Sequence, residues 1–270
     1  MNREEVISLL LDVFRSAQDN TVHLPEENID VPVLEEPLIG FAAAADPIFR
    51  EFKKPEVIGP EWMAPEEWLE GAKTVIAFFF PYTEEIRSRA RIAEGPINEA
   101  WKYGYPAGSA LARKLSLEMA EKLEQAGIRV CTPLTDPRMQ VKPVPLEDGE
   151  LHYMPSWSTR HAGFAAGLGT FGIHRHMITE KGSCGTMAAS LIIDLELEPT
   201  ERQYTGVYDH CIRCGVCAKR CPSGAITLER MRSVKKCGEY AGYLRETYGG
   251  GGCGKCLVAV PCEHRNPAAL

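Results

Sequence analysis

Apolar positions recur with a helical period over residues 3–16. The N-terminal MNREEVISLLLDVF reads as an amphipathic helix carrying Glu4, Glu5 and Asp12. A polar stretch with Pro25, Pro32 and Pro37 follows and reads as loop. Leu38–Ala43 and Thr74–Phe80 are unbroken apolar runs, the pattern of buried strands, and Pro81 stops the second. Residues 109–126 return to a helical period. Leu111, Leu115, Met119 and Leu123 form one stripe, and Gly127 is a natural stop. Ile128–Pro133 reads as a strand, Ser156–Ala166 as a helix and Met187–Leu195 as a strand. Strands separated by helices predict an α/β main domain over residues 1–200. The pattern breaks near Glu198–Thr205, and a cysteine-rich segment over residues 201–270 predicts a small second domain.

Composition adjusts this picture in a few places. A chain of 270 residues, 44% hydrophobic, has material for a sizeable core. The net charge of −7 advertises no global nucleic-acid surface, although a local basic patch such as Arg230–Lys236 stays open. No apolar run reaches membrane-spanning length, and the first helix lacks the small-residue site of a secretion signal. A cytoplasmic setting is therefore expected. There, ten cysteines point to metal ligation over disulfides.

The cysteine spacing is the strongest chemical feature. Cys211, Cys214, Cys217 and Cys221 form C-x2-C-x2-C-x3-C, followed at once by Pro222. This is the bacterial ferredoxin run, in which three close thiolates clasp a 4Fe–4S cluster and the fourth reaches a second one. Cys237, Cys253, Cys256 and Cys262 supply the further thiolates, so eight cysteines fit two clusters. A zinc ribbon pairs two C-x2-C knuckles and does not use a three-plus-one run ending in proline. Each cluster with four thiolates adds about −2 to the charge. Of the two cysteines left over, Cys131 reads as a small buried hydrophobe, and Cys184 in KGSCGT is left open.

A second group of residues lies between Leu151 and His176. Gly167, Gly169 and Gly172 spell G-x-G-x-x-G, but a helical stretch precedes them and a strand-like one follows. That order is the reverse of a dinucleotide fingerprint. Two readings remain: a helix end with close packing, or bare backbone approaching a large flat cofactor. Around the glycines lie His152, Tyr153, Arg160, His161, His174, Arg175 and His176. Histidines and arginines beside a glycine turn suit proton delivery or anion binding. Tyr82, Trp101, Tyr103 and Tyr105 read as an aromatic core set.

In combination these motifs resemble a family. The glycine block, the Ile-Thr and Gly182-Ser183 segment, the strand ending Ile193-Asp194, and C-x2-C-x2-C-x3-C-P-x-G-A-I are similar to epoxyqueuosine reductase. They are also similar to the C-terminal half of reductive dehalogenases. The resemblance covers roughly residues 150–265. It implies a main domain related to flavin nitroreductases, with a two-cluster ferredoxin-like module appended. It implies cobalamin held against the nearer cluster. The bare glycines and the flanking charges predict Gly167, Gly169, Gly172, Arg160 and Arg175 as the cofactor contacts. It also implies crossed ligation: Cys211, Cys214, Cys217 and Cys262 on one cluster, and Cys237, Cys253, Cys256 and Cys221 on the other. The epoxyqueuosine enzymes carry an aspartate in a D-x-x-P-V-L-E-R block. Here Tyr153–Arg160 aligns there, with no carboxylate in the acid's place.

Two functions follow. The first is a reductase that passes electrons through two clusters to cobalamin or a substrate in the main domain. Tyr153, His161 and His174 would deliver protons. The second is an electron-transfer or corrinoid-handling protein without turnover. The missing acid favours the carrier, and the size of the main domain favours the reductase. Expected partners are a low-potential donor such as ferredoxin or flavodoxin and a small-molecule substrate or corrinoid. Neither a membrane nor a nucleic acid is expected.

Overall fold

The computed structural model describes residues 1–91, 95–147 and 149–269. Helix α1 (Arg3–Ser16) forms where the period predicts it, because Asn2 and Glu5 close a capping box at its start. Strands β1 (Thr21–Leu24) and β2 (Ile29–Pro32) make a hairpin within the stretch read as loop. Strand β3 (Leu38–Ala43) matches its apolar run. Short helices α2 (Ile48–Glu51) and α3 (Pro65–Trp68) then lead to β4 (Thr74–Pro81).

β4 is buried at every position and is the centre of the fold. β3 pairs antiparallel along it, Leu38 opposite Phe79 and Ala43 opposite Thr74. Its other edge is taken by later strands, described below. Alternate side chains of β4 feed two cores. Ile76, Phe78 and Phe80 join α1 and the long helix on one face, and Val75, Ala77 and Phe79 join an aromatic cluster on the other. A strand buried on both faces needs an unbroken apolar run, which is what the sequence carries.

Helix α4 (Glu84–Arg91) precedes α5 (Glu99–Gln125). The expected start at 109 is corrected: α5 begins ten residues earlier and runs through Pro106. Asn98 caps it by accepting from the Trp101 N–H (2.9 Å), and Trp101 stacks on Tyr105 (5.6 Å), which holds the turns before the proline. Trp101 and Tyr82 are buried, as the core reading of the aromatics predicts. The strand expected over Ile128–Pro133 shrinks to β5 (Val130–Cys131), since a single 3-10 turn begins at Pro133.

Hairpin β6 (Val141–Pro145) and β7 (Leu151–Pro155) leads to α6 (Thr159–Ala165), capped by Ser158. Hairpin β8 (Gly169–Phe171) and β9 (Met177–Thr179) follows, then β10 (Gly185–Thr186) and β11 (Ser190–Ile193). Both β10 and β11 pair with β4, and β11 also pairs with β5. Every pairing among the described strands of this sheet is antiparallel. The alternation of helix and strand therefore gives a mixed fold of α+β type, without βαβ crossovers in the described sheet. Past the sheet, Thr200 bonds to Phe41, Arg202 pairs with Asp46 (2.7 Å), and Tyr204 enters the aromatic core. The cysteine-rich tail holds α7 (Val216–Lys219), the small hairpin β12 (Ile226–Thr227) and β13 (Met231–Arg232), and α8 (Val234–Tyr248). No described helix is long and apolar enough to cross a membrane.

Candidate metal centre

The first cysteine loop is placed by the β8–β9 hairpin. Phe171 N–H donates to the Val207 carbonyl (2.8 Å), and the His210 N–H donates to Thr170 Oγ1 (2.9 Å). The His210 ring donates through Nδ1 to the Ile178 carbonyl (2.7 Å). Gly215, in the left-handed region at φ 74°, turns the chain into α7 between Cys214 and Cys217. The C-terminal cysteine arrives from the opposite direction. Ser183 and Cys184 donate backbone N–H groups to the carbonyls of Cys262 (2.7 Å) and Glu263 (3.0 Å). Glu263 is 2% exposed. It meets Arg91 at 2.6 Å and Arg87 at 3.8 Å, which ties the segment to α4.

The result is one apolar pocket lined by Cys211, Cys214, Cys217 and Cys262, with Ile173, Ile178 and Val260 beside them. Burial pushes Cys217 up to about 12, and the facing thiols of Cys262, Cys211 and Cys214 add to it. Burial likewise raises Cys262 to about 11. Four mutually close thiols in an apolar pocket are poor anions alone and good ligands for a cationic metal core. Among the described residues no three donor side chains converge tightly enough for a single metal ion. A four-iron cluster takes one thiolate at each iron and accepts the wider ring.

Cys221, Cys237, Cys253 and Cys256 gather beside this pocket. Burial raises Cys253, and the charges of Cys237 and Cys221 add to it. It also raises Cys256, and the charges of Cys253, Cys237 and Cys217 add to it. Cys221 behaves differently. Burial works against its anion, but the Ser223 hydroxyl (3.4 Å) and the N–H groups of Ile226, Ala225 and Ser223 outweigh it and lower the thiol. Ser233 caps α8 at the turn before Cys237. The 249–256 loop is pressed onto α5, where a side chain at Gly254 would strike the Trp101 ring.

A family profile described as a 4Fe-4S binding domain matches residues 204–227. The chain is 26% identical over 237 residues to epoxyqueuosine reductase of Vibrio cholerae, covering 77% of this chain and 56% of that protein. An epoxyqueuosine reductase solved with an epoxyqueuosine-modified tRNA-Tyr stem loop superposes with a TM-score of 0.56 at 17% identity. It covers 97% of this chain and 65% of that one. A catabolic reductive dehalogenase superposes with a TM-score of 0.54 at 16% identity, over 86% of this chain and 30% of that one. The chain has the fold of the epoxyqueuosine reductases and reductive dehalogenases. The resemblance carried by the glycine block and cysteine run is thus borne out. The chain spans only about 56% of the length of the curated relative.

Within this fold the other predicted site residues separate. Tyr153 lies on β7, 41% exposed and opposite Pro143, outside the cysteine pocket. His152, its neighbour, is tied to the Ile58 carbonyl (2.9 Å). His161 packs between Phe52 and Phe171 with Nδ1 on Ser158 Oγ (2.9 Å), and burial, helped by Arg160, pulls it down to about 3. Arg160 donates to the Arg175 carbonyl (2.7 Å), and burial followed by the charge of Arg232 lowers it to about 10. Arg175 is exposed at a turn with φ 60°. His174 is 1% exposed and meets Cys262 Sγ through Nε2 at 3.5 Å.

On the side where a Cβ would stand, the three glycines are filled by the protein itself. A side chain at Gly167 would meet Thr200, one at Gly169 the Ile178 carbonyl, and one at Gly172 the His174 ring. Close packing by the protein's own atoms accounts for all three, so none offers bare backbone to a flat cofactor on that side. Sequence reasoning missed Ser183, Arg232 and Glu263. The single available clue was Glu263, a carboxylate directly after a ligand-type cysteine.

Proposed function

We propose that this chain is an iron–sulfur reductase of the epoxyqueuosine-reductase-like type, with two 4Fe–4S clusters in crossed ligation. Cys211, Cys214, Cys217 and Cys262 would hold the first, and Cys221, Cys237, Cys253 and Cys256 the second. The observation that carries the reading is the pocket in which the cysteine run meets Cys262 from the far end of the tail. The clusters supply one-electron storage and transfer. The chain's own residues supply the rest. The apolar wall of Ile173, Ile178 and Val260 keeps water from the first site.

A low-potential donor such as ferredoxin or flavodoxin would reduce the second site, and the main domain would receive the electron through the first. B12-dependent dehalogenation is ascribed to a solved reductive dehalogenase of this fold. In this chain the empty sides of Gly167, Gly169 and Gly172 are filled, so they form no cradle for a corrin, and no step is assigned to one. Arg160 and Arg175 remain the cationic groups that an anionic substrate would meet. Among the described residues of the 153–160 segment no carboxylate stands where the epoxyqueuosine enzymes keep their aspartate. That absence favours a second reading, a carrier without turnover. The test is anaerobic purification with cobalamin supplied during expression, followed by the visible spectrum and an assay on epoxyqueuosine-containing RNA. Iron–sulfur absorbance with turnover of a small substrate, and none of the RNA, fits the proposal. Brisk reduction of the RNA overturns the reading of the missing acid, and iron–sulfur absorbance with no turnover of any acceptor leaves the carrier.

A further inference from the structure

The buried histidine at the first cysteine pocket has a defined proton. The His176 backbone N–H donates to His174 Nδ1 at 3.0 Å, so that nitrogen must present its lone pair. The ring proton therefore sits on Nε2, and Nε2 faces Cys262 Sγ at 3.5 Å. Ser183 Oγ–H approaches the same sulfur at 3.6 Å and is itself 1% exposed. No carbonyl or carboxylate competes for the Nε2 proton among the described hydrogen bonds.

The ring is held in this orientation by the turn around it. Gly172 N–H donates to the His176 carbonyl (2.9 Å), and Arg175 N–H donates to the Gly172 carbonyl (2.8 Å). A Cβ on Gly172 would stand 2.5–2.9 Å from three atoms of the His174 ring. The third glycine of the block is therefore the space the imidazole occupies. His176 is fixed in turn, because Arg232 Nη1 donates to its Nε2 at 2.9 Å. A histidine that merely filled core would not need a glycine cut away beside it and a second donor aimed at the same sulfur.

We propose that His174 is a built-in hydrogen-bond donor to the Cys262 thiolate, setting the reduction potential of the cluster that Cys262 holds. This rests on the reading of Cys262 as a cluster ligand. Hydrogen bonds to the sulfurs are among the factors that set cluster potentials. Adding an electron puts more negative charge on the sulfurs, so the donor favours the reduced state and raises the potential. With the donor 1% exposed, water does not replace it when it is removed. His174 thus acts through Cys262 as a positioning residue. Its single proton is committed to sulfur, which replaces the proton-delivery role expected from sequence.

The experiment is an EPR-monitored titration of the anaerobically reconstituted full chain, using dithionite and redox mediators. His174→Phe should keep its iron and lose about tenfold in the reduction equilibrium of one cluster, a shift of about 59 mV to lower potential. His174→Gln, which retains an N–H donor, should fall between that variant and the parent. An unchanged potential in His174→Phe overturns the proposal, as does an equal shift in both variants. If His174→Phe does not assemble, the parent labelled with 15N-histidine decides by pulsed EPR. Nitrogen coupling to one reduced cluster supports the donor, and its absence overturns it. Cys262→Ser separates the underlying reading: if it leaves iron content and EPR signals at parent values, Cys262 is no ligand and the donor proposal falls with it.

Discussion

Glu263, next to Cys262, ties this end of the tail to α4, and its removal has a calculable consequence. Its side chain is 3% exposed and accepts from Arg91 Nε (2.8 Å) and Nη2 (2.6 Å) and from the Ala259 N–H (2.7 Å). Arg87, 9% exposed, lies 3.8 Å away. Deleting one member of a buried charge network costs about 3–5 kcal/mol when its partners are stranded. Here the stranding is partial. Arg91 keeps Glu84 at 2.6 Å and is 30% exposed, and Arg87 keeps Glu35 at 3.0 Å. Glu263→Ala should therefore cost about 2–3 kcal/mol, below the full range. Glu263→Gln keeps an acceptor for Ala259 and should cost less, about 1–2 kcal/mol. For a chain of this size the alanine change corresponds to about 5–10 °C in Tm. The assay is thermal melting of the anaerobic holoprotein, repeated in low and high salt. Because the network is buried, the gap should persist at high ionic strength. The same variant should release iron to a chelator faster than the parent, since Cys262 is the adjacent residue. A shift below about 1 °C, or one that disappears in salt, refutes the reasoning.

Other expectations follow from neighbouring contacts. Gly172→Ala should cost about 1–3 kcal/mol by melting, because its methyl meets the His174 ring. Gly254→Ala should lift the 249–256 loop from Trp101 and lower the iron content by about four atoms per chain, measured after anaerobic reconstitution. Cys131→Ala and Cys184→Ala should keep the parent's iron. Cys131 is 9% exposed and Cys184 is 0% exposed, and neither lines the cysteine pocket. His161, buried neutral, has its folded value lowered to about 3 against 6.5 unfolded. The unfolded chain binds the proton first, so stability is full above about pH 6.5 and falls as the pH drops toward 3. Melting of the parent beside His161→Phe between pH 7.5 and 5.5 should show a flatter profile in the variant, within about a unit of those limits.

Much of this protein was legible along the chain, for identifiable reasons. β4 needed burial on both faces, which leaves an unbroken run that no other element explains. The first cysteine run carries its ligand pattern in its spacing, and its Cys211, Cys214 and Cys217 line one pocket. What was illegible depends on partners distant in sequence. The apolar stripe marked only residues 109–126 of α5, and only the Asn98 cap and the Trp101–Tyr105 stack show how the helix starts earlier and passes Pro106. The hairpin β1–β2 hid in a proline-marked loop because its strands are only four residues long. The glycine block was open to close packing or to a cofactor, and carried no hint that one glycine makes room for an imidazole. His174 and Cys262 lie 88 positions apart, and no local pattern announces their contact.

The central claim is that two clusters share eight cysteines across a crossed arrangement. Iron and acid-labile sulfide per chain, measured on the anaerobically reconstituted parent beside Cys262→Ser and Cys237→Ser, test it most directly. The account predicts about eight iron atoms in the parent and about four in each variant, with a different EPR signal lost in each. About four iron in the parent, or the same signal lost in both variants, contradicts it.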